Sequence, residues 1–293
     1  MKHILFDFWN FIKNPKDLPY SGNEKNYKWS VFFTLFGFEL ILLAVYLPAT
    51  TLLDKYVMLE QSLDLSLSAI GSFFIFVLLV PFVEEVFFRL GLRRKGFLKE
   101  LISENTWQRW FPFFVYSSTL TFGFIHLTNY ANVELLFFLL APLIVLTQVV
   151  GGFIMAYLRV RFNFWMGYLY HATWNFIMIF IIGSVFIFFT ENTHIKTDDY
   201  ELEIKEEQFS GFFESKKIEY QEGANNDILS ITSDQYSMNK ILEIVYPENK
   251  KYIAKPVLVK FKFTSEKGIS KDRLLLLLEQ EEYIKARKSK NAN

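Results

Sequence analysis

The chain has 293 residues, 52% of them hydrophobic and 19% aromatic with 34 Phe, too apolar for an ordinary soluble domain although its mean hydropathy is only +0.19. Its 31 basic and 31 acidic side chains cancel, which removes the basic face that nucleic-acid binding requires. It contains no cysteine, so disulfides, thiolate metal ligands and a cysteine nucleophile are excluded.

Hydropathy divides the chain into an N-terminal segment (1–29), an apolar stretch (30–190) and a charged, mixed tail (191–293). Residues 1–14 lack the continuous apolar core and small-residue cleavage site of a signal peptide. Phe6, Trp9 and Ile12 recur at helical intervals with Phe8 beside them, which predicts a short amphipathic helix at the membrane interface. Pro15 and a polar stretch to Lys28 follow, and the first span then serves as an uncleaved anchor.

About 20 apolar residues are needed to cross some 30 Å of hydrocarbon. Five stretches qualify: 30–53, 67–90, 110–129, 133–158 and 163–189. Trp29, Trp107, Trp110, Tyr130 and Trp165 sit near their ends, where an aromatic belt belongs. Gly151, Gly152 and Ala156 give the fourth a small-residue stripe for close packing, and bends are expected at Pro142 or near Gly183. Cations precede the first span (Lys2, Lys13, Lys16, Lys25, Lys28), are sparse in 54–66 (Lys55) and abundant in 91–109 (Arg93, Arg94, Lys95, Lys99, Arg109). They are absent from 130–134 and return as Arg159 and Arg161. This alternation predicts a cytoplasmic N-terminus and, with five spans, an extracytoplasmic tail.

In the tail, Val257, Val259, Phe261 and Phe263 alternate with Leu258, Lys260, Lys262 and Thr264, the period of a half-buried strand. Weaker strands are expected at 200–206, 212–220, 228–232 and 241–245. After Gly268, Ser270 caps a helix expected to run to about Lys285, with Asp272 in its first turn and a frayed end at 288–293. The expected fold is thus an all-α polytopic membrane domain of about five transmembrane helices, followed by a small soluble α+β domain.

Chemistry concentrates in three short stretches. PFVEEVFFRLGL places Glu84, Glu85 and Arg89 at the end of an apolar run, where a charge near a helix centre costs roughly 2.5–3.5 kcal/mol. Alone, the three read equally well as snorkelling residues of a stop-transfer cluster. Glu85 and Arg89 are i,i+4 and can pair; Glu84 is turned about 100° away without a local partner. His126 follows Phe122 by four residues in TLTFGFIHL, and His171 precedes Asn175 by four in YLYHATWNF. A single intramembrane histidine is more often a hydrogen-bonding partner of its neighbours than a catalyst. Two of the chain's four histidines in separate spans, beside paired acids, point to a shared site.

A carboxylate can activate water as a general base, and an imidazole can polarise a carbonyl or bind a metal. Two histidines with one glutamate also form a recognised zinc set that leaves a position for water. Asn175 can donate to an oxyanion, and Arg89 can orient Glu85. With straight spans, Glu84 falls toward the cytoplasmic end of its helix and His126 toward the outer end of the next. For the motifs to meet, those helices must be offset and tilted, or 110–129 must begin beyond the membrane surface.

EEVFFR, FGFIH and HATWN resemble, in order, the EExxxR, FxxxH and HxxxN motifs of the CPBP family, the CAAX prenyl-protein endopeptidases and their bacterial bacteriocin-processing relatives. The resemblance covers about residues 65–180. It implies an intramembrane endopeptidase acting on a peptide or protein substrate within membrane lipid, in a bacterial cell membrane. Glu84 would activate water, Glu85 and Arg89 would support it, and His126, His171 and Asn175 would complete the site. Two arrangements are open: a zinc ion held by Glu84, His126 and His171, or a glutamate-activated water without metal. A non-catalytic scaffold or immunity protein using the same cavity is the rival reading. A proton-coupled transporter would show internally repeated halves, which the sequence lacks.

Overall fold

The apolar runs become helices whose ends follow local capping chemistry. The computed structural model describes residues 1–62, 67–211, 218–223, 225–247 and 251–287. The chain divides into two compact units, Met1–Ser62 with Phe74–Ile177, and Leu63–Phe73 with Met178–Asn293.

In chain order the helices are α1 (Lys2–Lys13), α2 (Tyr27–Val57), α3 (Ala69–Arg89), α4 (Phe97–Leu101), α5 (Glu104–Ile125), α6 (Leu135–Ile144), α7 (Leu146–Arg161) and α8 (Phe164–Phe189). Serine and asparagine start several of them: Ser68 accepts from Gly71 N, Ser103 from Thr106 N, and Asn163 from Met166 N. In α1, Ile4, Phe8 and Phe11 pack on the protein while Phe6 and Trp9 face outward. Phe8 and Phe11 meet the Tyr157 ring edge-on at 5.5 and 5.4 Å.

Among the described residues three helices, α2, α3 and α8, are long and apolar enough to cross a membrane, and the count is four if α6 and α7 are one span bent by 40°. Of the five spans expected, 110–129 corresponds to α5, which does not meet that criterion. Its first turns carry Glu104, Asn105, Gln108 and Arg109. The bend between α6 and α7 falls at Val145, three residues after Pro142, and a π-helical turn, Ile177–Ile182, stands directly before Gly183. Both breaks lie where they were expected. Phe33, Ile41, Val45, Phe87 and Phe188 are each at least 67% exposed on these helices, an outward surface suited to lipid rather than water.

Inside the first unit, Val31, Phe32, Leu35, Phe111, Val115, Phe122, Ile154, Tyr157 and Tyr170 form a continuous core. The small-residue stripe works as expected. Gly151, Gly152 and Ala156 are buried on α7, and a Cβ on Gly152 would lie 3.0 Å from Thr119 Cγ2 of α5.

The second unit holds a five-stranded antiparallel sheet of order β1-β2-β6-β4-β3, made of β1 (Thr193–Lys196), β2 (Glu201–Glu207), β3 (Ile218–Glu222), β4 (Ile228–Ser237) and β6 (Leu258–Ile269). A two-stranded ribbon pairs β5 (Tyr252–Ala254) with β7 (Ile284–Ala286). Leu202, Ile204, Ile231, Val259, Phe261 and Phe263 share one core with helices α9 (Met238–Val245) and α10 (Lys271–Gln280), while Glu203, Lys260 and Lys262 are exposed. The alternation read around Phe261 and Phe263 is therefore that of a half-buried strand, and Ser270 caps α10 with Asp272 in its first turn.

Two expectations for the tail are corrected. Residues 241–245 form the end of a helix, not a strand: Met238, Ile241, Leu242 and Val245 line one buried helical face, and Ser237 accepts from Lys240 N to start it. The last helix stops at Gln280 instead of near Lys285, because Glu282 takes φ of 61° and the chain turns into β7. Of the 212–220 strand, residues 212–217 lie outside the described residues, as does the 288–293 tail.

Candidate active site

The first motif sits on a helix whose geometry is unusual. Phe73–Leu79 of α3 winds as a π-helix before the chain returns to α geometry at Val80. In the i→i+5 register, the Phe76 carbonyl would accept from residue 81, which is Pro81 and has no N–H. Asn175 Nδ2 supplies that donor at 2.8 Å. The nearby Leu78 carbonyl accepts from the Tyr168 hydroxyl at 3.3 Å. Two side chains of α8 thus satisfy carbonyls of the widened turn that precedes Glu84, and Asn175 is engaged with the backbone of α3.

The acids converge on one imidazole. His171, 5% exposed, places Nδ1 3.1 Å from Glu85 Oε1 and Nε2 3.4 Å from Glu84 Oε2. Glu85 Oε1 also lies 3.1 Å from Arg89 Nη1, and both side chains are buried. Glu84, without a partner on its own helix, finds one across the helix interface. A Cβ on Gly167 would stand 3.2 Å from Glu85 Oε2, so glycine one turn before His171 makes room for the carboxylate.

The second motif joins through Phe122. The Arg89 guanidinium lies 3.8 Å from the Phe122 ring centroid, and that ring meets His126 at 4.9 Å and His171 at 5.7 Å, both edge-on. None of the Arg89 nitrogens has an aligned hydrogen bond, so the contact with Glu85 is a charge contact, supplemented by the aromatic face. His126 Nδ1 is 2.7 Å from the Phe122 carbonyl oxygen. A carbonyl only accepts, so Nδ1 carries the proton and Nε2 is the nitrogen available for chemistry. His126 interacts electrostatically with Glu84, His171 and Arg89.

The meeting of the motifs depends on axial offset. Ser118 Oγ donates to the Phe88 carbonyl at 2.5 Å, and Phe122 lies beside Arg89, so the C-terminal end of α3 is level with Ser118–Phe122 of α5. The first turns of α5 extend beyond α3 and pack on the N-terminal segment: Trp107 Nε1 donates to Asp17 Oδ2 at 2.8 Å, and the Tyr116 hydroxyl donates to the Ile12 carbonyl at 2.8 Å.

Several supporting residues were not read from the sequence. Arg159 Nε and Nη2 donate to the carbonyls of Arg89 and Leu90 at 3.0 and 2.8 Å. Arg93 Nη1 donates to the Val160 carbonyl at 2.9 Å, and Arg93 Nε pairs with Asp17 Oδ1 at 3.0 Å. The C-termini of α3 and α7 therefore cap each other reciprocally through two arginines, which fixes the level at which α3 presents Glu84 and Glu85. These arginines looked like loop cations; their pairing to carbonyls leaves no trace in residue spacing.

Glu84, His126 and His171 are not gathered around a common point in this structure. Among the described residues no group of three or more His, Asp or Glu side chains is placed to hold a metal ion, and His171 Nδ1 already faces Glu85. No step below runs through a metal.

Residues 66–177 match the family model of the type II CAAX prenyl endopeptidases, Rce1-like. That span contains all three motifs, and the family is the one their order pointed to. The family is one of proteases, and the match together with the long apolar helices marks an integral membrane protein. No curated protein and no solved structure matches the chain.

Proposed function

We propose that the chain is an intramembrane endopeptidase in which Glu84 activates the hydrolytic water. The observation that carries this reading is the placement of His171 between both acids of the first motif, at 3.1 and 3.4 Å. Glu85, held by Arg89 and by His171 Nδ1, orients that ring. Glu84 is the partly accessible acid, its side chain 22% exposed, and is the one a substrate can reach.

In the proposed reaction, water bound at Glu84 loses a proton to the carboxylate as its oxygen attacks the scissile carbonyl carbon. Negative charge develops on the carbonyl oxygen and is stabilised by donation from the histidines, His171 through Nε2 and His126 when protonated. The proton held by Glu84 then passes to the leaving amine nitrogen, the C–N bond breaks, and Glu84 returns to carboxylate. Phe122 and the apolar helices restrict water around the charges, which strengthens each interaction. The substrate class suggested by the family's name is the prenylated C-terminal segment of a protein; an apolar site open to lipid suits it. The sequence reading of a cytoplasmic N-terminus and an extracytoplasmic sheet-bearing tail is kept as part of this proposal.

The test is cleavage of prenylated and unmodified peptides by purified protein. Glu84→Gln and His126→Ala should each abolish turnover while the variants insert and melt like wild type. Near wild-type turnover in either would remove that residue from the chemistry.

A further inference from the structure

A second buried carboxylate lies outside the three motifs. Glu39, in the middle of α2, is 2% exposed and accepts the Tyr170 hydroxyl at 2.6 Å on Oε2. Its other oxygen occupies space that only glycine leaves: a Cβ on Gly151 would lie 2.8 Å from Glu39 Oε1. Tyr170 is 1% exposed, and its ring is clasped edge-on by Phe32 at 5.1 Å and Phe36 at 5.7 Å, which share the Glu39 face of α2. An acid at this depth is expensive, and leucine would fill the space without that cost. Its retained feature is the hydrogen bond to Tyr170.

Tyr170 precedes His171 on α8, so their side chains project about 100° apart. One faces a carboxylate of α2 and the other the carboxylates of α3. Gly167, one turn earlier, lets α8 approach Glu85, as Gly151 lets α7 approach Glu39. We propose that Glu39 is a positioning residue which, through the Tyr170 hydroxyl, fixes the rotation of α8 and thereby aims His171 at Glu84 and Glu85. The proposal rests on the reading of His171 as part of an active site, but its first readout does not need activity.

The experiment uses the full chain labelled with 15N-histidine, the His171 signal being identified by its loss in His171→Gln. Tyr170→Phe removes only the hydroxyl, Glu39→Leu removes the acceptor, and Glu39→Gln keeps an acceptor oxygen. Tyr170→Phe and Glu39→Leu should shift or broaden the His171 imidazole signals and leave those of His3 and His194 in place, whereas Glu39→Gln should restore them. In peptide cleavage the first two should lower kcat about tenfold with KM within about twofold, and Glu39→Gln should recover most of the loss. If Glu39→Leu does not insert, Tyr170→Phe carries the test alone. Unchanged His171 signals in Tyr170→Phe overturn the proposal, as does a Glu39→Gln variant as impaired as Glu39→Leu. If the wild type cleaves no peptide, the peptidase reading fails and the imidazole signals still decide the positioning role.

Discussion

The Arg89 guanidinium stacks 3.8 Å above the Phe122 ring, joining the first and second motifs by a cation–π contact at a fully buried position. The same ring backs His126 and His171. Lysine would keep the charge but lose the planar face and the reach to Glu85. Arg89→Lys is therefore expected to lower kcat at least roughly tenfold, and Phe122→Leu, which keeps apolar volume but loses the ring face, by somewhat less. The measurement is steady-state cleavage of the two variants; unaltered kcat in Arg89→Lys would show that the stack is dispensable.

Asn175 and Pro81 should be energetically coupled. If Asn175 Nδ2 stands in for the N–H that Pro81 lacks, then Asn175→Ala leaves the Phe76 carbonyl without that donor, at a cost of about 1–3 kcal/mol. Pro81→Ala restores an N–H at the position the π register requires, and should return part of that loss in the double variant. The check is a double-mutant cycle on thermal or denaturant stability in detergent. Strict additivity would mean that Asn175 acts elsewhere, for instance directly on the reacting carbonyl.

Arg159→Met should destabilise the helical unit by about 2–4 kcal/mol, because two charge-assisted hydrogen bonds to the carbonyls of Arg89 and Leu90 are lost. That corresponds to a fall in Tm of roughly 5–10 °C. Arg94→Met, whose side chain bonds the short turn around Lys99 and Ile102, should lower Tm far less. Equal losses in the two variants would argue against the reciprocal cap.

Cleavage should survive removal of divalent metal. If Glu84 activates the water without a metal, as proposed, dialysis against a strong chelator should leave kcat within about twofold. Loss of activity, restored by zinc in stoichiometric amount, would overturn the water-activation scheme as drawn.

The parts of the site visible in the sequence were charges and imidazoles stranded in apolar runs, where retention itself is informative. Glu84, Glu85, Arg89 and His171 lie together, and Phe122 links them to His126. What the sequence hid depends on register or on backbone atoms. Asn175 shares a helix face with His171 by spacing, yet its amide goes to a carbonyl freed by a π turn that no i,i+4 pattern reveals. Arg93 and Arg159 counted as loop cations, although their donors are spent on helix ends. Glu39 passed unnoticed inside FGFELILLAV because one acid in a long apolar run does not stop that run from reading as a span. In the tail, 241–245 was expected as a weak strand, while the capping serine and the spacing of Met238, Ile241, Leu242 and Val245 decide for a helix.

The same arginine clasp predicts the side on which the sheet-bearing tail lies. Hydrogen bonds from Arg159 to Arg89 and Leu90, and from Arg93 to Val160, set the ends of α3 and α7 at one level. The Tyr20 amide donates to the Arg161 carbonyl at 2.9 Å, which brings the approach to α2 to that level too. Since only two residues separate the end of α7 from the start of α8, α8 starts on the side where α3 finished. Whatever α5 and the bent α6–α7 pair do between those points, they add either no net crossing or two. Three helices qualify as spans and the bent pair could make a fourth, but a count of four would strand α8 on the wrong side, so three or five crossings are expected. Either number is odd, so the expected outcome is a tail on the side opposite the N-terminus, outside the cytoplasm if the Lys-rich segment before α2 is retained inside. A periplasm-active reporter fused after Asn293 should be active and a cytoplasm-active one silent, with the reverse for fusions at residue 94. A reporter after Asn293 that works only in the cytoplasm would require an even number of crossings and would break the shared level of α3 and α7.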